Sequence, residues 1–105
     1  MYVVVFITAK DFDEAQKIAR GLVADKLAAC SNILKDVKSV FRWEEKLDQA
    51  DEVMLIVKTR KSLLAKVIKK VKALHSYQVP EIIALPIVGG SKDYLNWVGA
   101  STVSK

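Results

Sequence analysis

The chain has one cysteine, one histidine, two prolines and four glycines in 105 residues. A lone Cys30 closes no intrachain disulfide, which fits a reducing compartment. One cysteine and one histidine exclude a closed zinc site, which takes four such ligands. Only one nucleophile–base pair can be assembled, Cys30 with His75, and the apolar neighbours Ala28, Ala29 and Ile33 make a buried structural thiol the simpler reading. Phosphate-loop and dinucleotide fingerprints are absent, and Gly89-Gly90 reads as a turn. The opening Met1–Asp11 lacks the basic flank of a signal peptide, and its apolar run is too short to span a bilayer. A soluble, cytoplasmic protein without a membrane partner is expected. No repeat, linker or low-complexity tract divides the chain, so residues 1–105 form one domain.

Acidic charge is missing from one stretch. Between Lys58 and Lys72 there are seven basic residues and no acid, within a net charge of +5. Lys61, Lys66, Lys69, Lys70 and Lys72 fall on one side of a predicted helix over 62–74, opposite Leu63, Leu64, Val67, Ile68, Val71 and Leu74. That basic face is either simply solvated or a seat for phosphates. Nucleic acid is not expected as a partner, because the third strand, Glu52–Arg60, carries no stacking aromatics and no RNA-recognition pattern.

Hydrophobic residues make up 51% of the chain, enough for one core. Tyr2–Ala9 reads as a buried strand. Asp11 and Glu14 are spaced as a capping box for a helix whose apolar face holds Ala15, Ile18, Ala19, Leu22 and Val23. Gly21 within it marks close contact between helix and sheet. Val37–Trp43 alternates, with Val37, Ser39, Phe41 and Trp43 on one side. This is a long second strand, bent near Lys35-Asp36. Glu44–Asp51 is a charged hairpin region, Val53–Lys58 a third strand, and Glu81–Val88 a fourth. Ser91 caps a short helix with Tyr94, Leu95, Trp97 and Val98, and 101–105 reads as frayed. The order strand–helix–strand–strand–helix–strand plus a terminal helix is the α+β, ferredoxin-like plan with an antiparallel sheet, strands one and three central.

The organising stretch is Leu74–Ile87. Pro80 ends the preceding helix, and His75, Tyr77 and Glu81 crowd one short turn. His75 either caps the helix or binds a ligand. With Glu81, Asp11 or Asp13 it is the candidate for a loose copper-type site. Phe41, Trp43, Tyr94 and Trp97 suit a subunit interface or a cap over one sheet edge.

Leu27–Ile33, Phe41–Lys46, Ile56–Arg60, His75–Ile87 and Tyr94–Trp97 together resemble the CutA divalent-cation-tolerance family, in order and over nearly the whole chain. The resemblance implies a homotrimer in which strands of neighbouring subunits extend each other's sheets, similar to PII signalling proteins. It also implies a non-enzymatic metal-response module with no required cofactor, binding Cu(II) or another divalent cation weakly. The expected metal residues are His75 and Glu81. Tyr77, Trp43 and Lys58 are expected in a ligand cleft, and Phe41, Trp43 and Trp97 in the trimer interface. The alternative is a PII-like sensor of an anionic small molecule held in clefts between subunits. Ile7 stands where some copper-binding members carry cysteine, and Leu74 where some carry a second histidine. The soft ligand set that favours copper is thereby reduced. Glu45 replaces the glycine many members have after the Trp-Glu pair, so the hairpin turn is expected to differ.

Overall fold

The computed structural model describes residues 1–103. Its elements are β1 (Tyr2–Ala9), α1 (Phe12–Ala24), β2 (Cys30–Trp43), β3 (Lys46–Arg60), a 3-10 turn (Lys61–Leu63), α2 (Leu64–Leu74), β4 (Ile82–Pro86) and α3 (Lys92–Ala100). The strands form one antiparallel sheet in the order β2-β3-β1-β4. This is the expected ferredoxin-like arrangement, with β1 and β3 central.

The core lies between the sheet and α1 and α2. Val3, Val5 and Ile7 of β1 alternate inward with Leu55 and Val57 of β3, against Ala15, Ile18 and Leu22 of α1 and Val67 and Val71 of α2. Each fully buried aliphatic side chain contributes about 1.5–3 kcal/mol. Ile7 is wholly buried here. Asp11 caps α1 as expected, its carboxylate accepting the Glu14 N–H at 2.8 Å. Gly21, however, marks a helix–helix approach. A Cβ at this position would meet Leu74 at 3.0 Å and Lys70 at 3.4 Å, both from α2.

The other sheet face has no helix over its middle and upper part. Alternation puts Val4, Phe6, Leu34, Met54, Ile56, Ile83 and Leu85 there, and Ile83 and Leu85 are 55% and 54% exposed. Only the lower end is closed. There α3 docks through Arg60, whose guanidinium donates to Gly99 O at 2.7 Å and Thr102 Oγ1 at 2.9 Å. The tail is not frayed through Val103. Thr102 is buried, and Val103 N–H donates to Lys26 O at 3.0 Å; residues 104 and 105 lie outside the described residues.

The 44–51 hairpin region holds the turn and the outer half of a long third strand. β2 and β3 pair from Val37–Glu52 out to Trp43–Lys46, joined by a two-residue turn, Glu44-Glu45. The expected bend is a register shift between Leu34 and Val37, with Asp36 at φ 63°. The resulting arm extends past β1, and the molecule is 44 Å long but only 25 and 22 Å across.

Candidate functional site

β3 carries the arm at one end and α3 at the other. Between arm and core, the segment after α2 folds back over the open sheet face. Together they enclose a cavity of about 850 Å3. Its sheet wall comes from Thr8, Val37, Phe41, Trp43, Glu52 and Met54, all on the side that the alternation of β2 assigned to Phe41 and Trp43. Its outer wall is the run Tyr77–Glu81.

Tyr77 anchors that wall. Its hydroxyl donates to Glu52 Oε2 at 2.8 Å. Burial, then this carboxylate, push the phenol well above its usual pKa, so the proton stays on the tyrosine. Glu52 is only 9% exposed. Asp48 and Glu81 also line the cavity. The lining cation Lys38 is engaged elsewhere, 2.6 Å from Asp51. Carboxylates therefore dominate the cleft's charge.

His75 stands behind this cleft rather than in it. Its side chain is completely buried. Nε2–H donates to the Thr8 carbonyl at 2.6 Å, and Nδ1 accepts the Tyr77 N–H at 3.1 Å. A carbonyl only accepts and an amide N–H only donates, so these two bonds fix the neutral tautomer. Glu14 completes the knot. Its Oε1 accepts from Lys10 N–H at 3.0 Å and its Oε2 from Ser76 N–H at 2.8 Å. Burial would raise this carboxyl, but those donors outweigh it and leave the pKa lowered.

The expectation of a metal on His75 thus meets a ring with no free nitrogen. Among the described residues no three His, Cys, Asp or Glu side chains gather closely enough to hold a metal ion. Trp43, Tyr77 and Glu81 do meet in one cleft, as expected of Trp43 and Tyr77. Lys58 does not join them. It lies about 20 Å further along β3 than Glu52, at ~3.3 Å per residue, and its ammonium bonds the Asn32 side chain on the open face. Trp97, on α3, is remote from Phe41 and Trp43 within one chain, and it packs against Tyr94 with ring centroids 5.5 Å apart. Cys30 lies opposite Lys58 at the α3 end and is half-buried, its thiol against the Tyr94 hydroxyl. His75 is held near the top of β1, so no nucleophile–base pair forms.

Sequence reasoning put Glu52 at the start of the third strand and Asp48 in the charged hairpin region, and assigned neither to the site. The strict alternation of Val37–Trp43 was the available signal. A partner strand of equal length requires Asp48, Ala50 and Glu52 on the same face as Phe41, Ser39 and Val37.

A family model described as CutA1 divalent ion tolerance protein matches residues 3–101. The chain belongs to this family. Protein CutA, chloroplastic, of Arabidopsis thaliana is 47% identical over 95% of this chain and 55% of its own length, so the chain spans about half of that relative. A divalent cation tolerance protein of Thermus thermophilus superimposes with a TM-score of 0.96 at 43% identity, covering 98% of this chain and all of that one. The periplasmic divalent cation tolerance protein CutA of Archaeoglobus fulgidus does so with a TM-score of 0.93 at 46% identity, over 96% and 98% of the two chains.

These CutA relatives overturn the cytoplasmic expectation. The Arabidopsis protein and a rice relative are named as chloroplastic and the Archaeoglobus one as periplasmic. The same domain serves in several compartments, because delivery is read from segments that need not belong to the packed domain. No helix among the described residues is long and apolar enough to cross a membrane.

Proposed function

We propose that the chain works as a homotrimeric, non-enzymatic module of divalent-cation tolerance, meeting cationic species in the cleft under its hairpin arm. The observation that carries the assembly is the bare sheet face, an apolar surface continuous with an arm whose outer edge has no ladder partner among the described residues. Apolar faces and unpaired edges of this extent are covered in working proteins. Phe41 and Trp43 lie at one end of the molecule and Trp97 at the other. A contact joining opposite ends is head-to-tail, and such contacts close into a ring where the rotation between neighbours closes, as a trimer requires.

The charge of the cleft supports a cationic ligand over an anionic one. Asp48, Glu52 and Glu81 line it, while Lys38 is paired outside it. The alternative of a PII-like anion sensor needs the opposite field. Lys58, the lysine expected in the ligand cleft, reaches Asn32 instead and lies away from the cleft.

Sedimentation at micromolar concentration tests the assembly, and a mass of three chains is expected. Calorimetric titration with Zn(II) and with ATP tests the charge preference. A species of one subunit's mass, or heat from ATP and none from Zn(II), overturns the reading.

A further inference from the structure

The cleft offers a cation more than carboxylates. Phe41, Trp43, Met54 and Val79 make apolar walls, from which a hydrated divalent ion gains nothing. The three lining carboxylates are spread among those walls and form no metal-holding group among the described residues. Yet they leave an excess of negative charge in one cavity of a chain whose net charge is +5. Glu52 is the pivotal one. It is more than nine-tenths buried, one oxygen accepts the Tyr77 hydroxyl, and no protein donor among the described residues meets the other. That second oxygen is not sealed in the interior, so it stays open to a positive partner entering the cleft, and a carboxylate as buried as this one favours such a partner over water alone.

We propose that this cleft binds a small organic cation, a protonated amine or guanidinium carried on an apolar, aromatic body. The cationic head meets Glu52 and Glu81, where charge-assisted hydrogen bonds replace water. The body lies along Phe41 and Trp43, where an aromatic face within ~6 Å also attracts the cation itself. A cavity of about 850 Å3 falls within the usual range for small-ligand sites, roughly 300–1,000 Å3. His75 contributes without touching the ligand. Its Nδ1 holds the Tyr77 backbone, which sets the phenol on Glu52 and so orients the carboxylate. The proposal rests on the cationic reading of the cleft and adds the organic body. Phe41 and Trp43 belong both to this cleft and to the proposed subunit contact, so the site is to be probed in the protein's own assembly.

The test is calorimetric titration of the full chain, in its own assembly state, with three probes that share a phenol ring. Tyramine is the cation, 4-ethylphenol the neutral analogue and 4-hydroxyphenylacetate the anion; Zn(II) is a fourth arm. Tyramine is expected to bind at least about tenfold more tightly than 4-ethylphenol, a single charge interaction's worth, with 4-hydroxyphenylacetate silent. Glu52→Gln and Glu81→Gln should each weaken tyramine by about tenfold and leave 4-ethylphenol unchanged. Thermal unfolding accompanies Glu52→Gln because that side chain is buried. Glu81 is exposed, so Glu81→Gln decides the matter if the first variant does not fold. Tyramine silent to millimolar concentration, binding no tighter than its neutral or anionic analogue, or unmoved by either substitution, overturns the proposal. Zn(II) binding with tyramine silent removes the organic cation and leaves the divalent-cation reading standing. Silence of both removes both.

Discussion

Glu14 ties three pieces of backbone together: the residue before α1, α1 itself and the turn after α2. Its folded pKa lies below the ordinary 4.5, so its ionised form stabilises the fold above about pH 4.5. That contribution is lost as pH falls through the lower, folded value. Glu14→Gln should therefore lower the unfolding temperature at neutral pH and flatten its decline below pH ~4.5. An acid limb parallel to the wild type's would remove Glu14 from the account. The capping-box spacing made Asp11 and Glu14 legible in the sequence. The bond to Ser76 was not, since 62 residues separate the partners. His75 shows the same limit. Its position at the end of a helix was readable, but the carbonyl that occupies its second nitrogen comes from β1. Two readings therefore stayed open until the chain was folded.

The β2–β3 arm and α3 are where whole elements carry local strain and close packing. The arm turns on Glu44 and Glu45, with φ of 51° and 65°. A two-residue hairpin with both φ positive favours glycine and asparagine, so this turn is made by two residues that resist it. Glu45→Gly should raise stability by about 1 kcal/mol, read as a higher denaturant midpoint. No gain would mean the Glu45 side chain makes a compensating contact in the assembly. In α3 the opposite applies. Gly99→Ala normally favours a helix by about 1 kcal/mol, but the new methyl would collide with the Tyr2 hydroxyl beside Arg60. A net loss of about 1–3 kcal/mol is expected in urea unfolding, and a gain would show that Tyr2 moves aside freely. The helices and central strands were legible because each has an apolar face at a fixed period. The outer half of the arm was not. Both its faces point away from the core of its own chain, so Lys46–Asp51 reads as a charged hairpin region and the third strand as starting only near Val53.

At the scale of the molecule, the unpartnered face decides the working unit. Ile83→Lys puts a charge at its centre without touching the core, since Ile82 and Ala84 face inward. The variant should fold but sediment as a lighter species than the wild type. An unchanged mass would take that face out of the interface. The compartment, by contrast, was never legible in the domain. Packing and assembly ask the same of a chain in a chloroplast as in a periplasm, so a missing signal-like start carried no information about either.

The sequence alone determined the element types, their order, the two central strands and the family, because periodicity and turn chemistry act over a few residues and leave their record there. The tertiary structure alone decided which polar groups are free. It spent both nitrogens of His75 on backbone, drew Lys58 away to Asn32, and put the Glu52 carboxylate of the third strand into the wall of a cleft. Hydrogen bonds between distant segments have no local period, so only the folded chain reveals which side chains remain to meet a ligand.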